Sequence, residues 1–302
     1  MIIPPYLKKQ DTIGIVCPSG FMDKEKAKVC IETLQQWGFK VKSGKTLGHQ
    51  YHYFSGTDEE RTEDLQNMIN DPGIKAILCG RGGYGLSRII DKINFSALKK
   101  NPKWLIGYSD ITLLHCHLNK KIKIASLHAP MAGAFNDGVN NIYIQSLRNS
   151  LIGKKNSYKI LSHPFNRAGF AEGELVGGNL SMLINSIGTV SEPDLKNKIL
   201  FIEEVGEYIY AADRMLQQLK RAGWFDQLKG LIIGSFSDMK DTTIPFGKNI
   251  DEAIKDIVNN YNFPAAFGFP VGHTEKNFSL KCSVKYRLDI AKKYTKLIET
   301  AN

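Results

Sequence analysis

Trp104-Leu-Ile-Gly-Tyr-Ser-Asp-Ile-Thr-Leu-Leu-His-Cys-His-Leu118 decides the fold. Its first five residues are apolar and read as a buried strand, and the run from Asp110 reads as a helix. Ser109 falls at the turn between them. A serine on such an elbow has its hydroxyl pushed out of the sheet, next to the N-terminal amides of the following helix. It is therefore a candidate nucleophile. Serine is also a preferred N-cap, and on local sequence alone the cap is the commoner reading.

Upstream, strand and helix signals alternate. Asp11-Thr-Ile-Gly-Ile-Val-Cys17 is an apolar strand ending in the turn Pro18-Ser19-Gly20. Lys24 to Trp37 has helical periodicity and stops at Gly38, and a short strand follows near Phe39-Lys-Val41. Thr57-Asp-Glu-Glu60 has the spacing of a capping box and opens a helix reaching about Ile69. Lys75-Ala-Ile-Leu-Cys79 is another strand, followed by a glycine-rich loop and a helix. This alternation predicts an α/β fold with a parallel sheet, Rossmann-like, whose ligands bind beyond the carboxyl ends of the strands.

From about Asn149 to Gly173 the pattern lapses, and this stretch reads as a linker. Beyond it come Gly177-Gly178-Asn179 leading a helix, the strand Ile199-Leu-Phe-Ile202 running into Glu203-Glu204, and a helix at Asp213–Leu219. A strand at Gly230–Gly234, a helix from Ile250 to Tyr261 and two strand-like runs near the C-terminus complete the chain. The expected organisation is an N-terminal α/β domain, residues 1–155, and a smaller mixed α/β domain, residues 170–302.

The 302 residues are 42% hydrophobic and 23% charged, ordinary values for a soluble globular protein. Forty Lys and Arg against thirty acids leave a net charge of +10, but the lysines are scattered in short pairs without interleaved aromatics. Nucleic acid is therefore not an expected partner. Five cysteines without paired spacing point to a reducing compartment, and no apolar run is long enough for a signal peptide or membrane span. A cytoplasmic location, with no membrane partner, is expected.

Gly80-Arg-Gly-Gly-Tyr-Gly85 fits G-x-G-x-x-G after a strand, the formal fingerprint of an NAD(P) site. That fingerprint normally follows the first strand of its sheet, and here at least two strands precede it. The same glycines could instead turn backbone N–H groups inward as a nest for an oxyanion, or form a plain tight turn. A serine nucleophile needs a base and an orienting acid. Of the seven histidines, His273 follows Gly272 just past a strand-like run, whereas His115 and His117 point to opposite sides of a helix. His49 and His52 have only weak metal spacing in a polar loop, and His128 and His163 lack informative context. Glu203 ends a buried strand, where an unpaired acid is costly. The order Ser109, Glu203, His273 is that of α/β-hydrolases, but Gly107-Tyr-Ser-Asp-Ile111 lacks their second glycine.

These stations resemble the LD-carboxypeptidases, a family that includes murein tetrapeptide carboxypeptidases and microcin-C immunity peptidases. They are Cys17-Pro-Ser-Gly20, Phe54-Ser-Gly-Thr-Asp-Glu-Glu-Arg61, Arg81-Gly-Gly-Tyr-Gly85, Gly107-Tyr-Ser-Asp-Ile-Thr112, Gly177-Gly-Asn-Leu180, Ile202-Glu-Glu204 with Asp213-Arg-Met-Leu216, and Gly272-His273. The resemblance implies a metal-independent, cofactor-free serine carboxypeptidase that releases a terminal D-amino acid from a muropeptide, with a homodimer expected. It implies Ser109 as nucleophile, Glu203 as acid, His273 as base, and the amides of Gly83 and Asp110 as oxyanion hole. Arg81, Tyr84 and Asn179 become candidate substrate-binding residues, and Arg81 and Arg214 candidates to grip the substrate carboxylate. A peptide–nucleotide substrate is the alternative within the family, and NAD(P) binding at Gly80–Gly85 the alternative outside it. Two departures stand out: Asn277-Phe-Ser-Leu-Lys-Cys282 replaces a frequent Leu-Pro-x-Gly type turn, and Ala129 replaces a frequent glycine.

Overall fold

The computed structural model describes residues 1–300. In the N-terminal half, β1 (Thr12–Val16), β2 (Lys40–Ser43), β3 (Ile74–Cys79), β4 (Trp104–Gly107) and β5 (Ser126–His128) alternate with α1 (Lys28–Gln36), α2 (Asp58–Asn70), α3 (Ala97–Lys100) and α4 (Thr112–His117). A further helix, α5 (Ile142–Leu151), follows β5. These strands pair in parallel in the order β5-β4-β3-β1-β2. The order reverses between β1 and β3. The crevice at such a switch point is where ligands bind in doubly wound sheets, and the loops leaving β1 and β3 flank it.

The next strands are β6 (Ser157–Leu161), β7 (Gly169–Asn179), β8 (Ile199–Val205), β9 (Gly230–Ser237), β10 (Ala265–Ala266), β11 (Leu280–Cys282), β12 (Lys285–Ile290) and β13 (Tyr294–Glu299). All but β11 form a second sheet, ordered β10-β9-β8-β7-β12-β13-β6. Its β7–β10 part is parallel, carries α6 (Leu180–Ser186), α7 (Ile209–Arg221) and α8 (Ile250–Val258), and is buried over residues 175–179, 199–204 and 230–234. Its β12–β13–β6 part is antiparallel and alternates, with Tyr286, Leu288 and Ile290 inward and Lys285 and Arg287 outward. The mixed α/β architecture expected from the sequence is thus present.

Two sequence expectations are corrected. The stretch read as a linker contains the end of α5 and all of β6, an edge strand in which Tyr158 is buried while Ser157, Lys159 and Leu161 are exposed. Such a polar edge strand gives little periodic signal. The C-terminus holds three strands rather than two, and β11 pairs antiparallel with β5 as the sixth strand of the first sheet. The sheets therefore do not divide cleanly along the chain. A continuous core runs from Ile13, Leu78 and Leu127 of the first sheet to Leu175, Phe201 and Leu297 of the second. Among the described residues no helix is long and apolar enough to cross a membrane.

β11 is anchored by Lys281, whose fully buried ammonium pairs with Glu299 on β13 at 2.9 and 3.0 Å. Removing one partner of a buried pair leaves an uncompensated charge. Lys281→Met is expected to destabilise the protein by about 3–5 kcal/mol. Lys281→Met/Glu299→Met should regain most of the loss, both read from urea midpoints.

Candidate active site

β4 ends at Gly107, and the chain reverses within two residues. A Cβ on Gly107 would lie 2.9 Å from Ile111, so the turn closes only over glycine. Ser109 has φ +65°, left-handed backbone that costs a non-glycine residue about 1–3 kcal/mol. The extended residue before the helical turn is Tyr108, not Ser109, and no side chain caps that turn. Among the described residues the Ser109 hydroxyl makes no hydrogen bond, and it faces a cavity of about 380 Å³. The N-cap reading is therefore set aside.

The glycine loop packs directly on this elbow. A Cβ on Gly82 would lie 2.8 Å from Ser109 Cβ and 3.0 Å from its Oγ, and Gly83 has φ +94°. The Gly20 amide donates to the Gly82 carbonyl at 3.0 Å, and Leu86 N–H and Ser19 Oγ both donate to Asp110 Oδ2, at 2.8 and 2.6 Å. Burial raises the Asp110 carboxyl above its ordinary range, while Ser19, the Leu86 amide and Arg61 pull the other way. Arg61, fully buried, donates to the carbonyls of Pro18, Gly56 and Gly85 and pairs with Asp58. One guanidinium thus joins three loops behind Ser109.

Glu203, near the end of β8, is fully buried, and its Oε2 takes a 2.6 Å hydrogen bond from His273 Nδ1. Gly272 makes this approach possible. At φ +124° it is left-handed backbone, and a Cβ there would lie 2.8 Å from Glu203 Oε2. The loop is held by Gly272 N–H to Asn277 Oδ1 at 3.1 Å and by Ser237 Oγ to the His273 carbonyl at 3.1 Å. The Tyr108 ring meets the imidazole edge-on, with centroids 4.9 Å apart. Burial alone would lower the His273 pKa, but the hydrogen bond and charge of Glu203, aided by Glu204, hold it above 6.5.

His273 and Ser109 line the same cavity, with Gly83 and Asp110. No hydrogen bond joins the hydroxyl to the imidazole among the described residues, and such bonds are often long before substrate is bound. A neighbouring cavity of about 760 Å³ shares Arg81, Tyr108, Met131, Val205 and His273 with the first.

The sequence matches the LD-carboxypeptidase N-terminal domain over residues 13–129 and the LD-carboxypeptidase C-terminal domain over residues 172–288. The chain belongs to the LD-carboxypeptidase family. It is 35% identical over 300 residues to the Bacillus subtilis protein named "Probable murein peptide carboxypeptidase", covering 98% of this chain and 94% of that one. It is 27% identical to the microcin C7 self-immunity protein of Escherichia coli, covering 96% and 93%. The crystal structure of the muramoyltetrapeptide carboxypeptidase from Oxalobacter formigenes superposes with TM-score 0.88 at 28% identity, covering 96% and 99%. Family membership makes the protein a serine-type carboxypeptidase acting on a peptide.

Within this LD-carboxypeptidase, the remaining candidate residues divide. Arg81 lines both cavities, with Nη1 donating to the Phe21 carbonyl at 3.0 Å. Asn179 lines the smaller cavity, donates its backbone N–H to Thr112 Oγ1 at 3.0 Å and its side-chain amide to Glu204 at 2.7 Å. Tyr84 is exposed, packs on Phe54 and lines neither cavity, and Arg214 lies over Tyr210, also outside both. The glycine loop runs into the three-residue turn Leu86–Arg88, not an α-helix, so the helix N-terminus that an NAD(P) site needs is missing.

The His49 ring hydrogen-bonds the Glu60 carboxylate at 3.2 Å, and among the described residues no His, Cys, Asp and Glu cluster could hold a metal ion. His115 bonds Ser126 and the Gly107 carbonyl, whereas His117 bonds Ser191. His128 is buried under Tyr108. Sequence reading missed Arg61 and Glu204 as site residues. Arg61 shares the spacing of Leu65, Met68 and Ile69, so a charge on an apolar helix face was the available signal. Burial also raises the Glu204 carboxyl, against amide hydrogen bonds from Val205, Asn179 and Ser181.

Glu203→Gln should remove the Glu203 charge that raises His273, leaving the burial that lowers it and only the lesser pull of Glu204 against it. An NMR titration is expected to place the imidazole below 6.5 in the variant and above it in the wild type.

Proposed function

We propose that this LD-carboxypeptidase releases a C-terminal D-amino acid, D-alanine, from murein tetrapeptides in the cytoplasm, as a step of peptidoglycan recycling. Ser109 Oγ attacks the scissile carbonyl carbon while His273 takes its proton. Glu203 orients the imidazole and offsets its positive charge. The amides of Gly83 and Asp110 hold the oxyanion, at about 3 kcal/mol per donor. The intermediate collapses, the C–N bond breaks, and His273 returns the proton to the departing amine. Water, deprotonated by His273, then attacks the acyl carbon, the bond from that carbon to Ser109 Oγ breaks, and His273 returns the proton to Oγ as the peptide leaves. The observation that carries this reading is the left-handed Ser109, its hydroxyl free in the cavity that also receives the Glu203-bound His273.

A second substrate, a peptide–nucleotide of the microcin-C type, is favoured by the likeness to the microcin C7 self-immunity protein and by the adjoining 760 Å³ cavity, large for a departing alanine. Mass spectrometry with each substrate separates the two. Release of D-alanine from murein tetrapeptide supports the first reading, and cleavage of the peptide–nucleotide alone supports the second.

Ser109→Ala is expected to cut turnover by at least about 10³-fold with the thermal midpoint little lowered. EDTA should leave activity unchanged. Because His273 must be neutral to accept the serine proton, kcat/KM should fall on the acidic side with a midpoint above 6.5. In Glu203→Gln that limb should move to lower pH while its plateau drops.

A further inference from the structure

The Gly83 amide belongs to the peptide unit between Gly82 and Gly83, which lies against Ser109 and the Asp110 amide. A trans peptide is planar, so its N–H and C=O point in opposite directions and turning it over exchanges them. Glycine on both sides leaves such a turnover almost unopposed by sterics. Reversed, the peptide would aim its carbonyl oxygen where an oxyanion needs a donor.

Two contacts oppose the turnover, and the turn at residues 51–55 supports or supplies both. In the first, the Gly20 amide donates to the Gly82 carbonyl at 3.0 Å. Gly20 is itself clamped: its carbonyl accepts from Ser55 Oγ at 3.0 Å, and the neighbouring Phe21 N–H donates to the Tyr53 carbonyl at 3.0 Å. The second contact is the Tyr53 side chain. A Cβ on Gly83 would lie 2.8 Å from the Tyr53 hydroxyl and 3.6 Å from its Cζ, so the phenol covers the α-carbon about which the peptide would turn. His52, at φ +53°, reverses the chain just before Tyr53. Tyr53 is 52% exposed and lines neither cavity, so neither core packing nor the cavity walls account for its placement.

We propose that Tyr53 is a positioning residue for the oxyanion hole: its ring, laid over Gly83, keeps the Gly83 N–H turned toward the oxyanion that forms at Ser109. Tyr53 touches no reacting atom and acts through the peptide alone. This rests on the oxyanion hole proposed above and adds what sets its direction. The contact matters only when charge develops on the carbonyl oxygen, so its loss enters kcat and not KM.

Two measurements provide the test. One is D-alanine release from murein tetrapeptide. The other is inhibition by a tripeptide boronic acid, whose boron replaces the scissile carbonyl carbon, bonds Ser109 Oγ and places an oxygen at the oxyanion position. Tyr53→Ala is expected to lower kcat about tenfold, less than the about 10²–10³-fold cost of losing a whole donor. KM should stay within about twofold, the thermal midpoint should hold, and the boronic acid should weaken by the same factor as kcat. Tyr53→Phe, which keeps Cζ over Gly83, should restore most of both losses. Tyr51→Ala, in the same turn but packed on His52, should change neither. Unchanged kcat in Tyr53→Ala, a loss confined to KM, a kcat loss that the boronic acid does not share, or an equal loss in Tyr51→Ala would overturn the assignment. A wild-type enzyme that releases no D-alanine would overturn the murein reading itself, and this inference with it.

Discussion

Everything in the active site depends on one seam, where the end of β7 presses against the start of α4. Gly178 has φ +144°, and a side chain there would collide with Thr112. Without one, the Asn179 N–H reaches Thr112 Oγ1 at 3.0 Å. That bond fixes the helix following Ser109 relative to the strand beside β8, since Asn179 is paired in register with Glu203. The candidate nucleophile follows a strand of the first sheet, the candidate acid lies on β8 of the second, and the candidate base lies in the loop between β10 and β11. A shift of about 1 Å at this seam would separate groups that must act within hydrogen-bond reach.

The site is built by letting backbone approach where side chains would forbid it. Gly82 lies against Ser109, Gly178 against Thr112 and Gly272 against Glu203, each at a separation a Cβ would violate. Behind them, charge does the holding. Arg61 and Asp110 have almost no exposed surface, and the side chains of both bind loop groups. Preorganisation of this kind is set when the protein folds, so the reacting groups need not be ordered again at each turnover.

Most of the first half was legible because β1, β3 and β4 are largely covered on both faces and read as mainly apolar runs flanked by turn residues, whereas β2, with Lys40, Lys42 and Ser43 exposed, is not. The order of Ser109, Glu203 and His273 was legible too, each lying at or just past the end of an apolar strand-like run. The second sheet was less so. β6 hides in a polar edge, and β11, three residues long, gives no hint that it crosses to the other sheet. Nor could sequence decide between a capping and a projecting serine, because both readings share the same residue and neighbours. The sign of φ at Ser109 separates them, and φ is set by the glycines packed around it.

β11 also has a meaning in time. Synthesis runs from the N-terminus, so β1 to β5 can assemble long before Leu280–Cys282 emerges. Until then β5 is an open edge, able to template pairing with another chain. The strand that finally covers it is pinned by Lys281 to Glu299, on the last strand of the chain. The nascent protein therefore closes its first sheet and tethers the loop carrying His273 almost together, once β11 has emerged. A chain stopped before Leu280 leaves that edge unprotected and the loop carrying His273 untethered.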